Sequence, residues 1–132
     1  MAKDKFKVTV KLNCKAKDVF KGWLDNKLHA KFTGGAKAKI DPNEGGSFDV
    51  YDGYISGKNV EIFPYKKIIQ TWRTTEFDVK DQDSMLELLF TQKEDYTLMS
   101  LSHTNIPEGD GERYKKGWKD YYFSYMKRHY DK

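Results

Sequence analysis

Ile106-Pro107-Glu108-Gly109-Asp110-Gly111-Glu112-Arg113-Tyr114-Lys115-Lys116-Gly117-Trp118-Lys119-Asp120-Tyr121-Tyr122-Phe123-Ser124-Tyr125-Met126-Lys127 combines a capped start, a helical period and a heavy load of aromatics. After Pro107 and Gly109, Asp110 is placed to cap the first amides, and Glu112 complements the positive end of a helix dipole. A long helix therefore starts near Gly111. At about 100° per residue, Tyr114, Trp118, Tyr121, Tyr122, Tyr125 and Met126 share one broad arc, with Lys116, Asp120, Ser124 and Lys127 opposite. Such a helix needs a large apolar surface to lie across, and Trp118 is its expected anchor.

The upstream sequence supplies that surface as strands. Phe6, Val8, Val10 and Leu12 alternate with Lys7, Thr9 and Lys11, the period of a half-buried strand. A helical pair follows: Val19, Phe20, Trp23 and Leu24 share one face, and Asp25 caps a second short helix carrying Leu28 and Phe32. Thr33-Gly34-Gly35 ends it. Six further strands are read over residues 36–40, 48–51, 54–63, 67–74, 85–93 and 96–104. Asp41-Pro42-Asn43-Glu44-Gly45-Gly46, Asp52-Gly53, Pro64 and Glu94-Asp95 punctuate them with turn chemistry. The expected architecture is α+β: a curved antiparallel sheet, two short helices after the first strand, and a long C-terminal helix packed across the sheet.

At 132 residues the chain is long enough to bury a core as one domain, residues 1–132, and its single cysteine, Cys14, has no internal partner for a disulfide. A reducing, cytoplasmic compartment fits this usage. No apolar signal core follows Met1, and no run approaches membrane-spanning length. Charge is unevenly spread. Residues 1–40 carry 11 lysines against 3 acids, residues 41–112 carry 6 basic and 15 acidic groups, and residues 113–132 carry 7 basic and 2 acidic groups. If the two basic segments meet in space, the molecule is bipolar and its basic side steers an acidic partner. Nucleic acid is disfavoured, since there are only three arginines, Arg73, Arg113 and Arg128, and no recognition motif.

Catalytic and metal-binding constellations are missing. Cys14 and the serines have no signature bringing them to a histidine. His103 shares strand phase with Met99 and Leu101 and reads as a core-rim residue with a local hydrogen bond, whereas His29 and His129 read as surface groups on helices. Asp41, Asn43, Asp49 and Asp52 echo a calcium loop without its register, and Gly34-Gly35, Gly45-Gly46 and Gly57 miss phosphate-loop spacing. No enzyme activity, cofactor or metal is expected.

Several fragments, in order, carry a family resemblance: Phe32-Thr33-Gly34-Gly35-Ala36, Gly45-Gly46-Ser47-Phe48, Asp52-Gly53-Tyr54-Ile55-Ser56-Gly57, Pro64 through Arg73, Ile106-Pro107, and Gly117-Trp118-Lys119-Asp120-Tyr121-Tyr122-Phe123. Together they resemble the C-terminal domain of the activator of heat-shock protein 90 ATPase. The resemblance implies a helix-grip fold, as in birch-pollen-allergen-like and lipid-transfer domains. It also implies a co-chaperone whose partner is heat-shock protein 90 and which stimulates that chaperone's ATPase. The family's full-length members also have an N-terminal docking domain, which nothing before Phe6 replaces. Weaker binding is expected without that tether.

Two sets of residues are candidate sites. Lys115, Lys116, Lys119 and Lys127 form a basic rim for the partner, and Phe123, about 160° from Tyr125 on the wheel, is expected to project as an apolar anchor unless the helical pair covers it. The alternative function is a carrier of a small hydrophobic molecule between sheet and helix, with Trp23, Phe32, Phe48, Trp72, Phe90 and Trp118 lining the space. The same rings are numerous enough to fill it.

Overall fold

The alternation at the start of the chain sets the sheet. In the computed structural model, which describes residues 3–131, Val8, Val10 and Leu12 of β1 (Asp4–Leu12) are buried while Lys7, Thr9 and Lys11 face solvent. Two helices follow, α1 (Ala16–Trp23) and α2 (Asn26–Phe32), and the Asp25 carboxylate accepts from the Lys27 amide at 3.1 Å as the expected cap. The meander comprises β2 (Lys39–Ile40), β3 (Ser47–Val50), β4 (Ile55–Phe63), β5 (Lys67–Thr74), β6 (Ser84–Gln92) and β7 (Thr97–Ile106). All neighbours pair antiparallel in the order β1-β7-β6-β5-β4-β3-β2, so β1 closes on the last strand rather than the next. β2 is shorter than expected. A two-residue edge leaves few unpaired backbone groups.

Two bulges curve the sheet. In β4 the pairing steps from Asn59 with Gln70 to Glu61 with Ile69, leaving Val60 as an extra, exposed residue. In β7 the register slips between His103 and Ile106, where Asn105 adopts φ 57°. The resulting closeness of β4 and β5 requires glycine at position 57, because a side chain there meets the Thr71 carbonyl.

The C-terminal helix runs through α3 (Gly111–Trp118), a π-helical turn (Lys119–Phe123) and α4 (Ser124–Tyr130). Its start differs from the expected cap. Asp110 makes no side-chain cap; its carboxylate pairs with Arg113 at 3.4 Å. The cap comes from β1 instead, where Asp4 Oδ2 accepts from the Gly111 and Gly109 amides at 2.8 and 3.0 Å. That cap needs a close approach, and a Cβ at Gly111 would lie 2.8 Å from Asp4.

The π turn corrects the reading of Phe123. The Ser124 amide donates to the Lys119 carbonyl, five residues back, while the Ser124 hydroxyl takes the Asp120 carbonyl at 2.6 Å. A second carbonyl of this turn, that of Tyr121, accepts from the Tyr51 hydroxyl at 2.6 Å. The extra residue rotates everything beyond it by about 100° relative to a regular helix. Phe123 therefore turns inward and is only 6% exposed, while Tyr121 turns outward to 61%. α2 packs against the π turn and α4, so the helical pair covers this side. Trp118 is buried as expected, stacked on Trp23 at 6.0 Å and tilted against Trp72 at 5.9 Å.

The shifted register ranks two neighbouring aromatics. Phe123→Ala should cost about 3–5 kcal/mol, whereas Tyr121→Ala should stay within about 0.5 kcal/mol of the parent. Urea unfolding of both variants measures the difference. The reverse ranking would indicate an uninterrupted α-helix.

Candidate functional site

Two buried histidines fasten the helix to its bed. Trp118 Nε1 donates to His103 Nδ1 at 3.1 Å, which places the His103 proton on Nε2, 2.7 Å from Ser84 Oγ. Ser84 in turn donates to the Trp72 carbonyl at 2.9 Å. His103 thus bridges strand and helix rather than making a local bond at the core rim. His29 was expected on the surface but is buried, because α2 folds onto the C-terminal helix. Its Nδ1 donates to the Trp23 carbonyl at 2.8 Å, so its Nε2 accepts from the Tyr122 hydroxyl, also at 2.8 Å. Burial pushes His29 down to about 4 and His103 down to about 3. Both rings are neutral structural groups.

Beside this core lies an open cleft of about 390 Å³ between the helix and the β3–β4 turn. The rings of Tyr51, Tyr54, Trp72, Tyr114, Trp118 and Tyr122 line it, with exposed Tyr121 and Arg113 alongside. The hydroxyls of Tyr51, Tyr54, Tyr114 and Tyr122 are already engaged. Tyr51 donates to the Tyr121 carbonyl, Tyr54 donates to Glu76, Tyr114 meets Thr74 at 2.9 Å, and Tyr122 donates to His29. Desolvation, helped by the Glu76 contact, raises Tyr54 to about 12, and burial raises Tyr122 well above the usual phenol range. The Arg113 guanidinium is held by Glu76 at 2.7 Å and Asp110 at 3.4 Å. What remains facing the cleft is mostly ring carbon.

Only two of the six residues expected to line a ligand space, Trp72 and Trp118, reach this cleft. Trp23 and Phe48 lie deeper, around a residual void of about 10 Å³, too small for a ligand. Phe32 packs under α2 against Tyr130, and Phe90 packs against Phe20. The space between sheet and helix is filled, and the open volume lies to one side. Tyr51 and Tyr54 were missed as lining residues. They flank the Asp52-Gly53 turn, and their recurrence on either side of it was the available signal.

The expected basic rim has a different address. Lys116, Lys119 and Lys127 are exposed and Lys115 is partly so. On the shifted wheel they lie on the flank away from Gly117 and Tyr121, hence away from the cleft. The N-terminal segment meets the same helix: Asp4 caps it, Asn13 donates to Asp131 at 2.6 Å, and α2 packs on α4. The two basic segments are therefore neighbours. Among the described residues the ion pairs engage only Arg73 and Arg113 as cations, so these lysines are not neutralised by salt bridges.

A curved antiparallel sheet closed over a C-terminal helix, with two short helices after its first strand, defines a helix-grip domain. The chain belongs to the family described as Activator of Hsp90 ATPase homolog 1-like protein, whose model matches residues 13–130. It is 30% identical over 93 residues to the human activator of 90 kDa heat shock protein ATPase homolog 1, covering 70% of this chain and 27% of that protein. It is 31% identical over 115 residues to the Dictyostelium discoideum homolog, covering 86% of this chain and 29% of that protein. The chain thus spans less than a third of the length of these relatives. A crystal structure of an HSP90 activator from Plasmodium falciparum superposes with a TM-score of 0.83 and 27% identity, over 91% of each chain.

The neutral histidines make stability depend on pH with a definite sign. Both folded-state pKa values lie below the ordinary 6.5, so the unfolded chain binds more protons once the pH drops through 6.5. Their contribution is complete above that value and is lost as the pH falls toward 4. Between pH 7.5 and 5.5 the unfolding free energy should drop by about 2–3 kcal/mol. In His29→Gln the drop should shrink by about half. Denaturant midpoints across this range test it, and a flat profile would mean that the rings titrate normally.

Proposed function

We propose that this protein is a cytoplasmic co-chaperone that binds heat-shock protein 90 and stimulates its ATPase, using no cofactor and performing no catalysis of its own. The observation that carries this reading is the superposition on the Plasmodium HSP90 activator across nearly the whole of both chains. Family membership over residues 13–130 supports it. Lys115, Lys116, Lys119 and Lys127 are the proposed contacts for an acidic face of the partner. Phe123 acts from inside, by holding the helix that presents them. Weak stimulation is expected of these residues when assayed alone, since they span less than a third of the length of the relatives they match.

A second reading is favoured by the aromatic cleft, which has the size and apolar lining of a small-molecule site. A carrier would copurify with an apolar aromatic compound, and that ligand would quench Trp72 and Trp118 fluorescence.

Purified heat-shock protein 90 assayed with and without this protein tests the principal reading. ATP turnover should rise and should vanish with a chaperone-specific inhibitor. Association should slow as salt is raised, and the triple variant Lys115→Glu, Lys116→Glu, Lys119→Glu should slow it by about tenfold or more. Inhibitor-insensitive turnover would reject the co-chaperone reading, and a salt-independent association rate would reject electrostatic steering.

A further inference from the structure

The β4–β5 turn holds a bulky residue where turn chemistry favours glycine. Pro64 presets the first central position, the Lys66 amide closes on the Phe63 carbonyl at 3.0 Å, and Tyr65 occupies the second with φ 65°. A turn of this kind selects Gly or Asn at that position, because a side chain is strained there. The left-handed position nonetheless carries an aromatic ring. Tyr65 leans edge-on against Phe20 at 5.4 Å yet remains 44% exposed, as does Phe63. A lysine stands over each ring, Lys21 at 6.0 Å from Tyr65 and Lys67 at 5.1 Å from Phe63.

Next to this turn runs a shallow groove of about 660 Å³, bounded by the first turn of α1 and the end of β6. Its apolar surface comes from Tyr65, Leu89 and Phe90, and its rim carries exposed Lys15, Lys17 and Lys66. Among the described residues no carboxylate lines it. The neighbouring Asp18, on the far side of Lys17 in α1, is not one of its lining residues. Among the described residues none of the three rim lysines forms an ion pair.

We propose that this groove is a docking site for an extended acidic peptide segment whose aliphatic side chains lie on Tyr65, Leu89 and Phe90 while its carboxylates meet Lys15, Lys17 and Lys66. Charge complementarity commits the occupant: an uncompensated basic rim around an apolar floor rejects a basic or purely apolar segment. The recessed floor favours a chain over a flat bilayer, since Phe90 is buried below the exposed lysines. The site is built from α1, β4–β5 and β6, apart from the helix lysines assigned to the chaperone above, and does not rest on that assignment.

The test is fluorescence anisotropy of the intact protein with a labelled peptide alternating Glu and Leu, beside Lys/Leu and Glu/Ser peptides of equal length. The Glu/Leu peptide should bind, and its affinity should fall about tenfold from low to high salt. Lys15→Glu with Lys17→Glu, and separately Tyr65→Asn, should each weaken it at least about fivefold. Asparagine suits the left-handed turn, so that variant removes the ring while relieving the backbone. Lys115→Glu with Lys119→Glu should leave the affinity unchanged. Equal binding of the Lys/Leu or Glu/Ser peptide, or parental affinity in the groove variants, would overturn the proposal. So would binding to phosphatidylserine vesicles with none to the peptide.

Discussion

The hydrogen bond from Trp118 to His103 joins the two halves of the molecule. It ties the C-terminal helix to the C-terminal half of strand β7 inside an aromatic cluster, where an unpaired indole or imidazole nitrogen would carry a substantial desolvation cost. The bond also selects one tautomer, and that tautomer extends the chain through Ser84 to the Trp72 carbonyl. Strand β5, strand β6, strand β7 and the helix are thereby fixed relative to one another by polar contacts, with Trp23, Trp72 and Tyr122 packed around them. The His29 bridge repeats the device between α2 and Tyr122. Burying two imidazoles among aromatics is favourable only with every nitrogen paired and neutral, so rigidity and acid sensitivity share one cause.

The π turn follows from fitting one helix to two surfaces. Trp118 must face the sheet, while the helix beyond it must face α2 and β1. With a uniform wheel, one side of these demands fails: Phe123 would sit in water and Tyr121 would take its place. Ser124 relieves the conflict by satisfying the Asp120 carbonyl with its hydroxyl, which frees its amide for Lys119. The same turn leaves Tyr121 outside and lets its carbonyl capture Tyr51. Thus the aromatic cleft owes one wall to an irregularity of the helix, as π turns elsewhere often accompany functional surfaces.

Strand content and the antiparallel meander were legible because alternation in β1 and in the meander reports directly on which face is buried, and turn residues mark the reversals. The helical pair and the Asp25 cap were legible for the same local reasons. What escaped was non-local. Asp110 has the chemistry of a cap, but the sheet brings Asp4 to the same amides from 107 residues away. His29 looks like a polar surface group until α2 is known to lie on the helix. Phe123 was misplaced because a wheel assumes one rotation per residue throughout, and a serine hydroxyl bonding its own helix carries no distinct sequence signature. The ligand space was misplaced for a related reason: large rings on facing elements signal a core, and only their packing decides whether volume is left over.

Charge, in contrast, gained meaning from the fold. Residues 1–40 and 113–132 are separately basic in sequence, but the closure of β1 on β7 and the cap from Asp4 bring them to the same side of the molecule. The acidic middle forms the strands from β3 to β7, their turns and the loop before the C-terminal helix, where Glu76, Asp83 and Asp110 are taken up by Arg73 and Arg113. Arg73 and Arg113 are therefore taken up in internal pairs, whereas no described lysine forms a salt bridge. Surface lysines contribute little to stability but set a long-range field, so their clustering acts on encounter rates with acidic partners rather than on the fold. That field is presented on two surfaces, the outer flank of the C-terminal helix with Lys116 and Lys119, and the start of α1 with Lys15 and Lys17.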